Sequence, residues 1–247
     1  FSFTLKKAGH YPKHLRDILM RTRAGLVLIY EREILFQSYG GSLRPLGDFS
    51  TLVSSLQFHG VEELMIIVTG DKKKNFQALA NDLKNTYVDI PIVISGLNGD
   101  ILNYLAINKS VERFAFSSSA LEGNCKLVDR VILECGRQAA LALLPIKYDK
   151  KSLIYQDLSG EDIRLTEKDI CLLFHKYDEI IFQYLSQTGL QAGFDYEILK
   201  FIPQKFLSRS IFSGGIVQSD VERLFSYGVA AVYGENSIMH GEGFYES

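Results

Sequence analysis

The fold is decided by a stretch that the chain uses twice, first as Ile92-Val93-Ile94-Ser95-Gly96-Leu97-Asn98-Gly99-Asp100 and, about half a chain later, as Ile211-Phe212-Ser213-Gly214-Gly215-Ile216-Val217-Gln218-Ser219-Asp220. In both copies an apolar strand runs into Ser-Gly, and a predicted helix follows. A second apolar strand then leads into a polar loop, at 114–122 and at 230–237. Two such units in register predict a duplicated half-barrel.

The loops that follow these strands are candidate anion-binding sites. A glycine lets backbone amides approach a ligand closely, and the start of the next helix directs its positive end toward the same place. We predict that the better phosphate site is formed by Gly214, Gly215, Asn236 and Ser237. The equivalent residues of the first copy are predicted to form a weaker twin: Ser95, Gly96, Ser117 and Ser118.

The composition fits one large domain. The chain has 247 residues, of which 47% are hydrophobic, a net charge of -2 and a pI near 6.3. This balance gives no electrostatic case for nucleic acid or an anionic membrane as a partner. No apolar run approaches the ~20 residues of a spanning helix. Three cysteines without a CxxC motif indicate reduced thiols, so we expect a cytoplasmic protein without a cofactor.

Strands and helices alternate along nearly the whole chain. Residues 1–22 are predicted to be an N-terminal extension, and residues 23–247 a single (β/α)8 barrel of the α/β class. The run Ala139–Leu144 is apolar throughout, which is typical of a strand that is buried on both faces. A hairpin is predicted over 147–165, and little sequence remains after Ser237 for an eighth helix, which we expect to be short or missing.

With these elements placed, the chain resembles the cyclase subunit of imidazole glycerol phosphate synthase, the HisF family. It is most similar to the HisF-like branch found in sugar-amidation loci for surface polysaccharides. The segment 189–195, Gly-Leu-Gln-Ala-Gly-Phe-Asp, is similar to the family's DGTxxGYD loop. Ser213-Gly214-Gly215 matches its SGG, and Asn236-Ser237 its A/N-S pair. The order and spacing of these matches carry the resemblance, which covers roughly 23–240.

The resemblance implies a function as well as a fold. In the family, ammonia passes through the barrel from a glutaminase that docks at its N-terminal face. We therefore expect a glutaminase (HisH-like) subunit as partner, and a phosphorylated or nucleotide-sugar ligand. The expected reaction is ammonia-dependent amidation or imidazole-glycerol-phosphate-type synthesis. The match also adds Gly189 to the predicted phosphate-binding residues, because Thr188-Gly189 keeps a glycine of the family's loop.

The chain departs from the family at the catalytic positions. The family's cyclase uses an Asp at the end of strand one and another at the end of strand five as acid and base, with a Lys nearby. Continuing the match places Ile29 at the first Asp, Gln37 at the Lys and Pro145 at the second Asp. Isoleucine and proline cannot transfer protons, so the catalytic residues stay unknown and enzymatic activity is uncertain.

Other polar residues remain as candidates. The run Asp71-Lys72-Lys73-Lys74 follows the second strand and is either a solvated loop or a phosphate contact. Lys147 is either a site residue or a charge on the predicted hairpin. His10 and His14 are separated by Pro12, which argues against a helical metal site, and we predict no metal.

Three functional hypotheses follow. The first is a HisF-like barrel that partners a glutaminase and receives ammonia. The second is a non-catalytic phosphate-binding scaffold that only stabilises a partner. The third is an enzyme with a new reaction that uses residues such as Lys147, Glu31 or Tyr184. Stimulation of a glutaminase separates the first hypothesis from the other two.

Overall fold

The computed structural model describes residues 23–39, 41–97, 100–117, 121, 126–149, 151–157, 160–190 and 192–235. Within them, eight parallel strands form one ring. In ring order these are β1 (Arg23–Glu31), β4 (Glu63–Val68), β5 (Ile92–Ser95), β6 (Arg113–Phe116), β7 (Ala140–Asp149), β10 (Glu179–Tyr184), β11 (Ser210–Ser213) and β12 (Ala231–Gly234). The ring closes because β12 pairs with β1 in parallel, from Arg23 opposite Ala231 onward. The predicted (β/α)8 barrel is thus confirmed.

Helices connect most of the barrel strands on the outside. They are α1 (Phe49–Phe58), α2 (Lys72–Asn85), α3 (Ile101–Ile107), α4 (Lys126–Cys135), α5 (Glu167–Lys176) and α6 (Gln218–Ser226). Thr166 begins α5 as its N-cap, since its side chain and that of Asp169 cap each other's backbone amides. None of the described helices is long and apolar enough to cross a membrane.

One connection differs from the prediction. Between β10 and β11 the sequence predicts an α-helix over 196–202, but the structure has two 3-10 helices, Tyr196–Phe201 and Gln204–Arg209. Pro203 lies between them. Proline has no amide hydrogen and disfavours helical geometry in the residue before it, so a continuous α-helix ends here.

Two hairpins extend the barrel beyond its ring. Strands β2 (Ile34–Tyr39) and β3 (Ser42–Asp48) follow the first barrel strand, and β8 (Ser152–Gln156) and β9 (Asp162–Leu165) follow the fifth. The second hairpin was predicted, whereas β3 was missed. The two hairpins therefore follow barrel strands that are four apart, which are equivalent places in the two half-barrels.

The repeated Ser-Gly segments have the same geometry in the two halves of the barrel. They end β5 and β11, the third and seventh barrel strands. Gly96 and Gly214 have φ angles of 100° and 99°, which disfavour any residue with a side chain. A Cβ at Gly96 would collide with the carbonyl oxygen of Val68 at the end of the second strand, and one at Gly214 with that of Tyr184 at the end of the sixth.

The barrel interior is polar at both ends and apolar between them. Alternate residues of each strand face inward. We term the apolar cluster between the ends the middle layer, to which some strands contribute two residues: Val27, Met65, Val93, Ala115, Leu141, Leu143, Ile181, Ile211, Ala231 and Tyr233. Polar and charged side chains lie in the layers above and below it. Residues 1–22 and 236–247 lie outside the described residues, so the N-terminal extension and the reduced eighth helix stay predictions.

Candidate functional site

The carboxyl ends of the eight barrel strands form one face of the barrel, which we term the C-terminal mouth. Ser95 and Gly96 end the third strand, and Ser117 follows the fourth, which neighbours it in the sheet. Gly189 follows the sixth strand, and Gly214 and Gly215 follow the seventh. The structure therefore places these predicted residues on one face. Ser118, Asn236 and Ser237 lie outside the described residues.

The first half of the mouth, at the ends of the first four barrel strands, contains hydroxyl groups and a glycine with a positive φ angle. Ser95 is buried at the end of its strand. The hydroxyl oxygen of Ser117 is buried and has no hydrogen-bond partner among the described residues. Tyr155 of the second hairpin donates a hydrogen bond to the carbonyl oxygen of Ser117, 3.0 Å away, and holds this strand end in place. The first half of the mouth therefore holds the Ser117 hydroxyl, which can both donate and accept a hydrogen bond.

Lys72 brings a positive charge to this half. Its Nζ donates to the carbonyl oxygen of Val68 and would lie 2.9 Å from a Cβ built on Gly96. Burial lowers the pKa of the Lys72 amine, and the attraction of Glu31 opposes that shift only in part. Of the run 71–74, Lys72 alone is half-buried. The run is therefore not a loop, since Asp71 caps α2 and residues 72–74 form its first turn, from which Lys72 approaches Gly96.

A cleft of about 480 Å³ lies beside the first half, between the β1–β2 turn and the start of α2. Its walls include Glu31, Arg32, Glu33, Asp71 and Lys74, a mixture of both charges. Thr69 donates a hydrogen bond of 3.0 Å to Glu31, which fixes that carboxylate at the rim. Glu31, a residue of the third hypothesis, thus lines this cleft.

The second half of the mouth holds a carboxylate that the sequence analysis missed. Glu235, just after β12, is 4% exposed. It accepts hydrogen bonds from the Gly189 amide at 2.5 Å and from the Ser213 hydroxyl at 3.0 Å. Burial raises the pKa of Glu235, although the bonds from Gly189, Ser213 and the Gln183 side chain act in the opposite direction. Donors of the predicted phosphate loops are therefore already engaged by the chain itself.

A second buried carboxylate lies at the start of α6. Asp220 accepts hydrogen bonds from the amides of Phe194 at 2.8 Å and Val217 at 3.1 Å, and from the Tyr196 hydroxyl at 2.9 Å. Burial and the bond to Asp220 raise the pKa of Tyr196 to about 12. Asp220 thus ties the loop after the sixth strand to the helix after the seventh.

The positions that the resemblance assigns to the family's acid, base and lysine carry neutral side chains. Ile29 and Pro145 have the inward strand parity of the apolar layer and lie near the ends of β1 and β7. Gln37 is fully buried on β2. Lys147 lies 3.5 Å from Asp162 of β9 in an ion pair, which favours the hairpin role over the site role.

The opposite face, the N-terminal mouth, contains a group that we term the charge ring: Arg23, Glu63, Arg113 and Glu179. Each begins a different barrel strand, the first, second, fourth and sixth. Arg23 contacts Glu63 at 3.1 Å and Glu179 at 2.8 Å. Arg113 contacts Glu63 at 2.6 Å and also binds Glu179, so the four ion pairs form a closed cycle across the barrel axis.

Tyr233 and Gly25 complete the N-terminal mouth. Tyr233 of the last strand is fully buried and donates a hydrogen bond of 2.6 Å to Glu63. Burial raises the pKa of Tyr233, and the nearby Glu63 raises it further. A Cβ on Gly25 would lie 2.7 Å from the Tyr233 ring, so this ring fills the space that the glycine leaves. The Tyr233 ring therefore covers the charge ring on the side that faces the barrel interior.

Within the charge ring, charges of opposite sign stabilise each other against burial. Burial opposes the ionisation of Glu179, but attraction by Arg113 and Arg23 outweighs it and lowers the pKa of Glu179. Burial likewise acts to lower the pKa of Arg113, and Glu179 and Glu63 raise it instead. The ionised forms of Glu179 and Arg113 are thus stabilised by their partners in the charge ring.

Sequence reasoning missed the charge ring, although a signal existed. Four apolar strands each begin with a charged residue of inward parity, two basic and two acidic. Glu235 has a comparable signal, since it keeps the inward parity of Ala231 and Tyr233.

The comparisons with known proteins fit this geometry. A family model described as "Histidine biosynthesis protein" matches residues 39–243, which is most of the chain. A search of curated proteins found no match.

Among the described residues, no group of three or more His, Cys, Asp or Glu is arranged to hold a metal ion.

Proposed function

Because the chain belongs to the histidine biosynthesis protein family, we propose that it is a HisF-like synthase subunit that receives ammonia from a glutaminase docked at its N-terminal mouth. The ammonia would react at the C-terminal mouth with a phosphorylated small molecule. The observation that carries this proposal is the charge ring, which closes the end of the barrel where the resemblance expects the partner.

The charge ring is better explained by a function than by stability. Taking four charges out of water costs free energy that their mutual attraction only offsets, and apolar side chains of similar volume are often at least as stabilising. The side chains of Glu63 and Glu179 are only 1% and 11% exposed. A closed ring of charges on the barrel axis can rearrange its ion pairs when a partner docks, whereas an apolar plug cannot.

The apolar middle layer supports passage of neutral ammonia. An ammonium ion would lose its hydration there without a counter-charge, whereas neutral ammonia pays a much smaller penalty. The small side chains of Ala115 and Ala231 lie in this layer. The arrangement of a charged entrance, an apolar interior and a polar exit suits transfer of a small neutral nucleophile from one mouth to the other.

The ligand of the C-terminal mouth is proposed to carry a phosphate. In the first half, Lys72 supplies a positive charge, Ser117 supplies a hydroxyl, and Gly96 allows close backbone approach. These groups suit a phosphate oxygen. The proposal covers both reactions that the resemblance implies, sugar amidation and histidine-type synthesis.

A second candidate function is the non-catalytic scaffold, favoured by one observation. The positions of the family's acid and base carry Ile29 and Pro145, which transfer no protons. In that case the barrel binds its partner and a phosphate without passing ammonia. The two candidates differ in their effect on a glutaminase.

The test is a glutaminase assay with purified subunits. A HisH-like glutaminase is measured alone, with this chain, and with this chain plus inorganic phosphate. The proposal expects glutamine hydrolysis to rise by about 5-fold or more, the usual scale of coupling between sites. Complex formation without stimulation would support the scaffold, and no complex would contradict both.

A double variant tests the charge ring directly. Arg113→Met with Glu179→Met removes one charge of each sign and leaves the Arg23–Glu63 pair balanced. Folding stability should be kept, since such replacements are often neutral, while stimulation should fall about tenfold. The matched control is Lys200→Met with Glu197→Met, which removes an exposed ion pair of 2.6 Å. Equal stimulation of the glutaminase by both double variants would show that the charge ring plays no part in the stimulation.

A further inference from the structure

We propose that Glu235 is the specificity-determining residue of the C-terminal mouth and makes the ligand asymmetric. The end of the ligand at Ser95 and Gly96 carries a phosphate, and the end at Ser213 and Gly214 carries hydroxyl or amino groups instead of a second phosphate. This inference rests on the proposed function, in which the mouth holds a phosphorylated small molecule.

The first step of the argument is that Glu235 occupies donors that a phosphate would need. The Gly189 amide is 2.5 Å from one carboxylate oxygen, and the Ser213 hydroxyl is 3.0 Å from the other. The Gln183 side chain also binds this carboxylate. Both Gly189 and Ser213 belong to the loops predicted to bind an anion. A phosphate could reach them only by displacing a buried side chain of the protein.

The second step is electrostatic. A phosphate monoester carries roughly -1.5 to -2 charges at neutral pH, and like charges repel strongly where water is excluded. The groups that bind Glu235 are a backbone amide, a hydroxyl and a carboxamide, so they are neutral. Burial raises the pKa of Glu235, yet the protonated form still fills the same space. In either state the residue opposes a second phosphate.

The third step is the contrast with the first half. There the backbone has the same shape, with φ angles of 100° at Gly96 and 99° at Gly214. The side chain that approaches Gly96 is the ammonium group of Lys72. Hydroxyl and amino groups, in contrast, can donate hydrogen bonds to a carboxylate. The two halves therefore select opposite ends of one ligand.

The experiment is an amide NMR titration of the full chain with inorganic phosphate, repeated for Glu235→Ala and Glu235→Gln. Glu222→Gln, which removes an exposed carboxylate of α6, is the matched control. In the unmodified chain and the control, the amide of Gly96 should shift and saturate, while those of Gly189 and Gly214 stay unchanged. In Glu235→Ala a second saturable site should appear at Gly189 and Gly214, and a weaker one in Glu235→Gln.

Two results would overturn the role of Glu235. One is saturation of Gly189 and Gly214 in the unmodified chain. The other is an unchanged response of these amides in every Glu235 variant that folds. Absence of phosphate binding at Gly96 would instead contradict the phosphorylated ligand of the proposed function. The glutaminase assay is independent of all these readings, so the failures can be told apart.

A ligand series sharpens the result. Ribose 5-phosphate carries one phosphate and free hydroxyls, and ribulose 1,5-bisphosphate carries two phosphates. The unmodified chain should bind the bisphosphate no more tightly than the monophosphate. Glu235→Ala should bind the bisphosphate about tenfold more tightly than the monophosphate. A tenfold preference for the bisphosphate in the unmodified chain would contradict the asymmetric ligand.

Discussion

The two halves of the C-terminal mouth share a backbone and differ in charge. Each half has a Ser-Gly strand end whose glycine has a φ near 100° and lies against the carbonyl oxygen of the preceding barrel strand. The first half adds the amine of Lys72, and the second adds the carboxylate of Glu235. A duplicated scaffold can therefore keep its geometry while its two sites diverge in the ligand groups that they accept.

The largest expected effect tests the shared backbone. Gly214→Ala should lower the free energy of unfolding by about 2–5 kcal/mol, because the new Cβ is strained and collides with backbone atoms of Tyr184. Gly96→Ala should cost a similar amount through Val68. Urea unfolding measures both. Gly228→Ala is the control, since its φ is 84° with nothing within 4 Å, and about 1–2 kcal/mol is expected there.

The next effect tests the charge of the first half. Lys72→Met keeps much of the side-chain volume and removes the ammonium group. Phosphate affinity, followed at the Gly96 amide, should fall about tenfold, as expected when a hydrogen bond to a charged group is lost. Lys73→Met, at an exposed position of the same helix, should leave the affinity unchanged. Equal losses in the two variants would indicate a diffuse charge effect.

A smaller effect tests the carboxylate of the second half. Burial raises the pKa of Glu235 above its ordinary value of 4.5, so the folded chain binds this proton more tightly than the unfolded chain. The group therefore destabilises the fold progressively as the pH rises above about 4.5. Glu235→Gln should gain stability relative to the unmodified chain over that range, on the order of 1 kcal/mol at neutral pH. Urea unfolding between pH 4 and 8 measures it, and a gap that narrows with rising pH would contradict the assigned direction.

The last prediction is that restoring one carboxylate has no effect on cyclase activity. Ile29→Asp restores a carboxylate at one family position, but Pro145 and Gln37 still occupy the other two. We expect no cyclase activity on the histidine-pathway intermediate from either the unmodified chain or the variant. A positioned acid or base typically contributes ~10²–10⁴-fold, and a second one would remain missing. Robust turnover by the unmodified chain would show that other groups perform the chemistry.

Much of the fold could be predicted because its signals are local. The helix Phe49–Phe58 is capped by the adjacent Asp48, and the strand Glu63–Val68 is apolar after Glu63, so both are indicated by neighbouring residues. The strand β3 was missed. Pro45 and Gly47 within it are typical of turns rather than strands.

The site could be predicted only in its backbone. Ser-Gly at a strand end is visible in the sequence, and the structure places the described residues of this pattern on one face. The partners of Glu235 come from two different barrel strands or their loops, and those of Glu179 from two others. Such contacts depend on ring closure, which no local pattern contains.

The closed cycle at the N-terminal mouth also has a consequence for how the chain acquires its shape. The bond between Arg23 and Glu179 joins residues 156 positions apart, and that between Glu63 and Tyr233 joins residues 170 apart. During synthesis, Arg23 meets Glu63 after 40 positions, but it must wait for most of the barrel before Glu179 exists. Contacts of such long range form slowly because loop-closure entropy is paid first. The mouth proposed to meet a partner is thus among the last parts of the barrel to mature, so a partner that recognises it would engage finished barrels only.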